Sequence, residues 1–406
     1  MNLPSWPDRD WTIRARWVFP VSRPPIRDGL VTIRGERIVA VEDAGSRRAD
    51  VDLGDAAVIP GLVNAHTHLD LTGLRGLAAP SRDFTGWLRQ VIAHRRCRSA
   101  EQVQADIRAG LAECLRFGTR LVGDISAAGA SWEVLSAESS RAVVFHEVLG
   151  LPEDRAVRAS RDFQDWLAAH PATPTCRPGV SPHAPYSVRS SLFAAAATSG
   201  VPAAVHLAET AEEQELLRLH RGPFVPFLRD LGVYDPEGLA DDSGHVLRFF
   251  NGTSSPVLII HGNYLPADAR MPMGGSIVYC PRTHAAFGHP PHPFRDFLAR
   301  GVRVALGTDS LASNPDLDLL AEARFLHRLH PQVPGAVILR MATLAGAEAL
   351  GWECETGSLE AGKSADLVAL AGADMDAAEP HSSILDSATT VSTVLHRGSW
   401  IDRSLR

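Results

Sequence analysis

The chain has 406 residues, 45% of them hydrophobic and 21% charged, with a formal net charge of −7. This is the composition of a globular protein with a large core, and the acidic balance excludes the basic footprint of a nucleic-acid binder. No uninterrupted apolar run approaches the ~18 residues of a membrane span, so neither nucleic acid nor membrane is expected as a partner.

The first residues, MNLPSWPDRD, carry charge and no apolar leader core. The five cysteines are scattered without a CxxC pair and read as reduced thiols. A cytoplasmic location is the expectation. Residues 11–57 alternate short apolar runs with turn signals (Trp17–Phe19, Gly29–Ile33, Gly35, Ile38–Val41), an all-β pattern. After Pro60 strand-like runs alternate with longer helical patterns, which predicts βα units and a parallel sheet. The first run, Val58–His66, ends in His66-Thr67-His68. Residues i and i+2 of a strand share a side, so the two imidazoles can aim at one point beyond the strand end. Imidazole is the commonest protein metal ligand, although the pair alone suits two ordinary polar residues at a strand exit equally well.

Asp83–Arg89 predicts a helix over a pocket mouth, with Trp87 able to stack on a flat ring. Ser99 and Gln102 form a capping box. Val103, Ile107, Leu111 and Cys114 then recur at helical spacing up to Gly118, a C′ residue. Seven further strands are predicted: 120–125, 142–147, 177–182, 202–206, 257–261, 276–280 and 302–307. Eight strands over this length fit a (β/α)8 TIM barrel, whose reactive groups sit at the C-terminal strand ends. His66 and His68, His183, His206, His261 and Asp309 all fall at such ends. A helix is predicted from Asn314-Pro315, an N-cap followed by proline. After residue 355 short strands return (357–370, 391–395, 400–401). The two chain ends are therefore expected to pair into one small β-sandwich, residues 1–57 with 355–406, beside a barrel of residues 58–354.

VIPGLVNAHTHLD, SPHAPYS, VHLAET, IIHGNY, ALGTDSLASN and GSLEAGKSADLVAL, in this order, resemble the amidohydrolase superfamily, and its mononuclear aminohydrolase branch of cytosine, guanine and adenosine-type deaminases and triazine hydrolases in particular. The resemblance implies one divalent ion, zinc or iron, held by His66, His68, His206 and Asp309. It also implies a catalytic Glu209, His261 as the strand-6 histidine and His183 as a substrate-side histidine. The chemistry agrees: three imidazoles and a carboxylate leave a position for water, whose pKa a bound cation lowers from about 15.7 toward roughly 7. Asp309 can accept that water's proton. Glu209, three residues beyond His206, can protonate a ring nitrogen and the leaving amine. Binuclear members bridge two metals with a strand-4 lysine; the only lysine here is Lys363, near the C-terminus.

The expected reaction is hydrolytic deamination of an amino-substituted nitrogen heterocycle or nucleoside. The alternatives are displacement of a halide or alkylthio group from a triazine-like ring, and a non-catalytic scaffold. Trp87 and His183 are the expected substrate contacts, with Arg282 or Arg89 for an anionic substituent. Thr283-His284 stands where nucleoside deaminases of the branch carry Ser-Asn, which argues against a sugar contact at that place. The partner is a small-molecule substrate; a homodimer is the assembly left open.

Overall fold

Hydrophobic alternation and turn glycines shape the first strands of the computed structural model, which describes residues 6, 8–372 and 379–401. The remaining residues of the expected terminal β segments lie outside the described set. Strand β1 spans Trp11–Arg14, β2 Trp17–Val18, β3 Ile26–Arg27, β4 Leu30–Arg34, β5 Arg37–Glu42, β6 Val51–Asp52 and β7 Ala57–Pro60. Eight strands follow: β8 Leu62–Thr67, β9 Thr119–Ala127, β10 Arg141–Val148, β11 Cys176–Pro182, β12 Ala203–Leu207, β13 Val257–His261, β14 Gly275–Tyr279 and β15 Arg303–Leu306. The chain closes with β16 Leu367–Ala371, β17 Thr390–His396 and β18 Ser399–Ile401.

Strands β8 to β15 form one sheet in sequence order, and most are continuous apolar runs, as a parallel sheet buried on both faces requires. The sheet curls until its ends meet. Thr67 bridges to Asp309 in parallel, and the amides of Thr308 and Asp309 both donate to the His66 carbonyl at 3.1 Å. This is a TIM barrel, as expected. Gly307 permits the closure: a Cβ there would lie 2.8 Å from the His66 Cβ and 2.9 Å from its carbonyl oxygen.

The terminal strands form a four-stranded sheet, β5-β4-β1-β6, and a six-stranded sheet, β18-β17-β16-β7-β2-β3. Trp11, Ile13, Val31, Ile33 and Ile38 meet Val58, Leu367 and Leu395 in one apolar core. N-terminal β7 pairs antiparallel with C-terminal β16, Pro60 opposite Leu367, so the chain ends do combine into a small sandwich. By contacts the chain divides into two compact units, 1–64 with 112–121 and 318–406, and 65–111 with 122–317. We propose 58–354 as the hydrolase domain, with 1–57 and 355–406 as the composite β domain.

Two sequence expectations are corrected. The run Val58–His66 is not one strand: it splits at Gly61 into β7 and β8. Gly61 N donates to Asp366 O, whereas Leu62 N donates to Gly118 O, so the chain changes partner there. A Cβ at Gly61 would lie 2.7 Å from the Arg120 Cγ. The helix expected from Asn314 begins at Leu319 and is capped by Asp318, whose Oδ1 accepts from the amides of Leu320 and Ala321. Asn314 instead donates from Nδ2 to the Thr308 carbonyl. The capping box of the helix α2 (Ala100–Arg116) is as expected: Ser99 N donates to Gln102 Oε1 at 3.0 Å, and Gln102 N to Ser99 Oγ at 3.3 Å. Among the described residues no helix is long and apolar enough to cross a membrane.

Removing residues 355–406 deletes β16–β18 and leaves β7 an open edge, which templates aggregation. The truncated chain is expected in the pellet on expression, while the full chain is soluble; measuring the soluble fraction of both checks this.

Candidate active site

Each strand end of the barrel delivers its side chain by a local device. His66 lies within β8 and points inward, with no exposed surface. His68 follows two residues later. Asp124 on the neighbouring strand β9 fixes that exit by accepting from Leu69 N at 2.9 Å. His206 is the penultimate residue of β12 and His261 the last of β13. Ala208, His261 and Asp309 take left-handed backbone conformations, φ 53, 65 and 57. Such conformations are uncommon outside glycine and gather at functional sites; here they turn side chains inward at the top of the barrel.

These turns are held from below. Glu213, on the helix Ala211–Leu219, accepts from Ala208 N at 2.7 Å and Glu209 N at 3.2 Å. Asn263 Nδ2 donates to the Glu209 carbonyl at 3.0 Å. The Ser313 hydroxyl donates to Asp309 Oδ2 at 2.8 Å, which leaves Oδ1 toward the histidines. His66 Nε2 stands 3.4 Å and His68 Nε2 3.9 Å from that oxygen.

The donor set fits a divalent cation. Donor atoms of His66, His206 and His261 lie within 4.8 Å of one another, as do those of His66, His68 and Asp309. Both ring nitrogens of His66 are buried without a hydrogen-bond partner. His206 Nδ1–H donates to the His183 carbonyl at 3.1 Å, so its Nε2 carries a lone pair. That lone pair faces His68 Nε2 at 3.2 Å. At that distance either His68 Nε2–H donates to the lone pair or a cation stands between the two nitrogens, and a backbone carbonyl on the remaining nitrogen is how proteins fix a ligand imidazole.

Glu209 points at the same centre, its Oε1 3.3 Å from His261 Nε2. Burial, with the charges of Asp309 and Glu213, pushes its pKa well above the ordinary range. Burial holds His261 neutral, pushed down to about 3, and lowers His68 and His206 as well. Asp309 behaves oppositely: burial opposes ionisation, but His66, 3.4 Å away, and the other surrounding imidazoles hold its carboxyl below the ordinary value. Burial thus favours the protonated form of Glu209, whereas the imidazoles favour the ionised form of Asp309.

A cavity of about 480 Å³ opens above this floor, within the range of small-molecule sites. His68, His183, His206, Glu209, His261 and Asp309 form its polar base, and Phe84, Trp87, Leu88, Val91, Phe227 and Leu228 its apolar wall. Trp87, on the helix α1 (Phe84–Cys97), is fixed by an Nε1–H donated to the Ala312 carbonyl and by an edge contact with Phe287.

Arg282 does not reach the cavity, and this corrects its expected role. Its guanidinium pairs with Asp316, 2.8 Å from Oδ1. Arg89 faces outward and pairs with Asp230. Thr283 bonds to Ser313, and His284 to the Pro290 carbonyl; neither lines the cavity. Arg95 and Glu147, for which no role was expected, both line it. Arg95 bridges Asp70 and Glu147 at 2.9 Å each. The readable signal is Glu147 itself, a carboxylate set between Val144-Phe145 and Val148 in the apolar run of strand β10.

A model of the amidohydrolase family matches residues 57–401. The chain belongs to the amidohydrolase family. Over 391 residues it is 32% identical to a 5-methylthioadenosine/S-adenosylhomocysteine deaminase of Moorella thermoacetica, covering 90% of this chain and 85% of that one. It is 30% identical over 353 residues to an aminodeoxyfutalosine deaminase of Deinococcus radiodurans, covering 80% and 81%. The crystal structure of an adenosine deaminase from Xanthomonas campestris with bound zinc superposes with a TM-score of 0.75 at 27% identity, covering 98% of this chain and 93% of that one. This amidohydrolase sits in the mononuclear aminohydrolase branch and is a hydrolase of carbon–nitrogen bonds other than peptide bonds, of the deaminase type.

Glu213 supplies a pH test. Burial raises its pKa from 4.5 to about 8. Between those values the folded state holds a proton that the unfolded state has released, so this group's contribution to stability falls as pH rises from about 4.5 to 8. Glu213→Gln removes the titration. The stability difference, wild type minus variant, should decline by ~1 kcal/mol per pH unit across that window, as urea unfolding at pH 5, 6, 7 and 8 will measure.

Proposed function

We propose that the protein removes the amino group from an adenine-type ring of a nucleoside whose far end carries an apolar, anion-bearing extension. The observation that carries this reading is Glu209 Oε1, 3.3 Å from His261 Nε2, at the foot of an apolar cavity and next to converging metal-type donors. His66, His68, His206 and Asp309 would hold one divalent ion, zinc in the first instance, in keeping with the zinc-bound adenosine deaminase neighbour. When bound, such an ion supplies Lewis acidity and a water that ionises near neutral pH.

The chain's own residues do the rest. Asp309, kept ionised, accepts the proton of the attacking water. Glu209, kept protonated, delivers a proton to the ring nitrogen adjoining the amino-bearing carbon. Water adds to that carbon, the ring nitrogen becomes N–H, and the amine leaves as ammonia after taking up a proton. His261 orients Glu209 and remains uncharged. The dry walls strengthen each of these interactions.

The extension is read from the upper cavity. Its wall is apolar, and two exposed arginines, Arg96 and Arg155, line it. Neither forms an ion pair among the described residues, unlike Arg89 and Arg282. They suit a carboxylate at the end of an apolar linker. S-adenosylhomocysteine and aminodeoxyfutalosine have that form; 5′-methylthioadenosine lacks the carboxylate.

An ammonia-release screen of these three compounds and adenosine tests the reading. The carboxylated nucleosides should give the highest kcat/KM. The double variant R96Q/R155Q should raise their KM by roughly tenfold without changing that of 5′-methylthioadenosine. Glu209→Gln should retain one ion per chain and lose ~10²–10⁴ in turnover, whereas His206→Ala should lose metal and turnover together. Elemental analysis and kinetics on the same preparations decide. Two ions per chain, or a metal-free Glu209→Gln, would refute the assigned roles.

A further inference from the structure

Glu147 and His183 meet on the cavity wall in an arrangement that the deamination steps do not use. Glu147 is the penultimate residue of strand β10, and its side chain is only 2% exposed. One oxygen, Oε2, accepts from Arg95 Nη1 at 2.9 Å. The other, Oε1, is buried and takes no hydrogen bond. Burial opposes its ionisation, but the Arg95 guanidinium holds the carboxyl below its ordinary pKa, so Oε1 belongs to a carboxylate that lacks a donor. Buried polar atoms in folded proteins almost always have a partner.

The nearest polar neighbour cannot be that donor. His183 Nε2 is 3.7 Å away, beyond hydrogen-bond reach. The hydrogen-bond pattern also assigns its tautomer. The Ser187 hydroxyl donates to the Ala184 carbonyl at 3.0 Å, so Ser187 Oγ accepts from His183 Nδ1–H, also at 3.0 Å. Nε2 then carries a lone pair. Two acceptors, Glu147 Oε1 and His183 Nε2, thus lie side by side on residues that line the cavity. Only a ligand with adjacent donors satisfies both. Arg95 stands behind Glu147 on the same wall, which disfavours a cationic donor and leaves neutral O–H groups. The His183 ring centroid lies 4.7 Å from that of His206, so the pair sits one ring's breadth from the converging nitrogens. A heterocycle reacting at that centre would place its sugar there.

We propose that Glu147 and His183 form a subsite for the vicinal hydroxyls of a furanose, with Arg95 and Asp70 as positioning residues that hold Glu147 in place. The idea rests on the nucleoside reading above, and it makes Glu147 the residue that separates ribonucleosides from deoxygenated analogues and free bases.

Inosine and 2′,3′-dideoxyinosine test it by titration calorimetry on the metal-loaded full chain. Neither carries an amino group, so binding is read whether or not deamination occurs. Wild type should bind inosine ~10–100-fold more tightly, the range of one or two hydrogen bonds to a charged group. Glu147→Gln should cut that ratio about tenfold by weakening inosine alone. With adenosine and its dideoxy analogue as substrates, the same variant should raise KM for adenosine and leave kcat within about threefold. Should Glu147→Gln not fold, Glu147→Asp, which keeps the charge and shortens the reach, should lower the ratio in the same direction. A wild-type ratio near one, no binding of either nucleoside, or a variant that weakens both equally overturns the subsite. Retained discrimination without ammonia release from adenosine would remove the deamination reading and leave the subsite standing.

Discussion

Barrel closure at His66 is the constraint on which the site depends. One carbonyl oxygen accepts two amide hydrogens, from Thr308 and Asp309. It thereby ties the first strand of the sheet to the chain that leaves the last. Because His66 and Asp309 are both partners in that seam, their side chains are fixed by backbone hydrogen bonds before any ion arrives. The left-handed turn at Asp309 then brings its carboxylate over the strand end, and Ser313 sets which oxygen faces inward. A preformed set of this kind loses less freedom on binding than a loop-borne one.

Burial alone would drive every carboxyl near the centre toward the protonated form. The structure sorts them by what else each one meets. Glu209 meets only neutral histidine and other carboxyls, and its pKa is raised. Asp309 meets three imidazoles and a hydroxyl, and it ionises. Glu147 meets Arg95 and ionises too, whereas Asp124, without a cation in contact, is pushed up to about 8 by burial. Acid and base roles in one dry cavity follow from these partners, not from residue type.

The residues that converge on the centre were readable because their signals are local. His66-Thr67-His68 sits at a strand exit, and His206 and Glu209 are three residues apart. His183, His261 and Asp309 each end an apolar run. What was missed is non-local. Arg282 looked available for an anion until the fold placed Asp316 beside it, 34 positions away. Arg95 and Glu147 are 52 apart, and nothing in either neighbourhood announces the pair. The break at Gly61 was hidden because both halves of the run are apolar; only the change of hydrogen-bond partner separates β7 from β8. The helix expected at Asn314 begins instead at Leu319, capped by Asp318, because the asparagine side chain is already engaged with Thr308.

The small sandwich has a consequence for how the chain is made. Strand β7 leaves the ribosome with its parallel neighbour β2 already synthesised, but its antiparallel neighbour β16 follows about 300 residues later. At ~5–20 residues per second, that edge waits tens of seconds, while the whole barrel sequence is translated. The six-stranded sheet is therefore the last element whose strands are all present. It cannot be completed before Ile401 has been synthesised, and a nascent chain stalled inside the barrel is the species that a chaperone must shield.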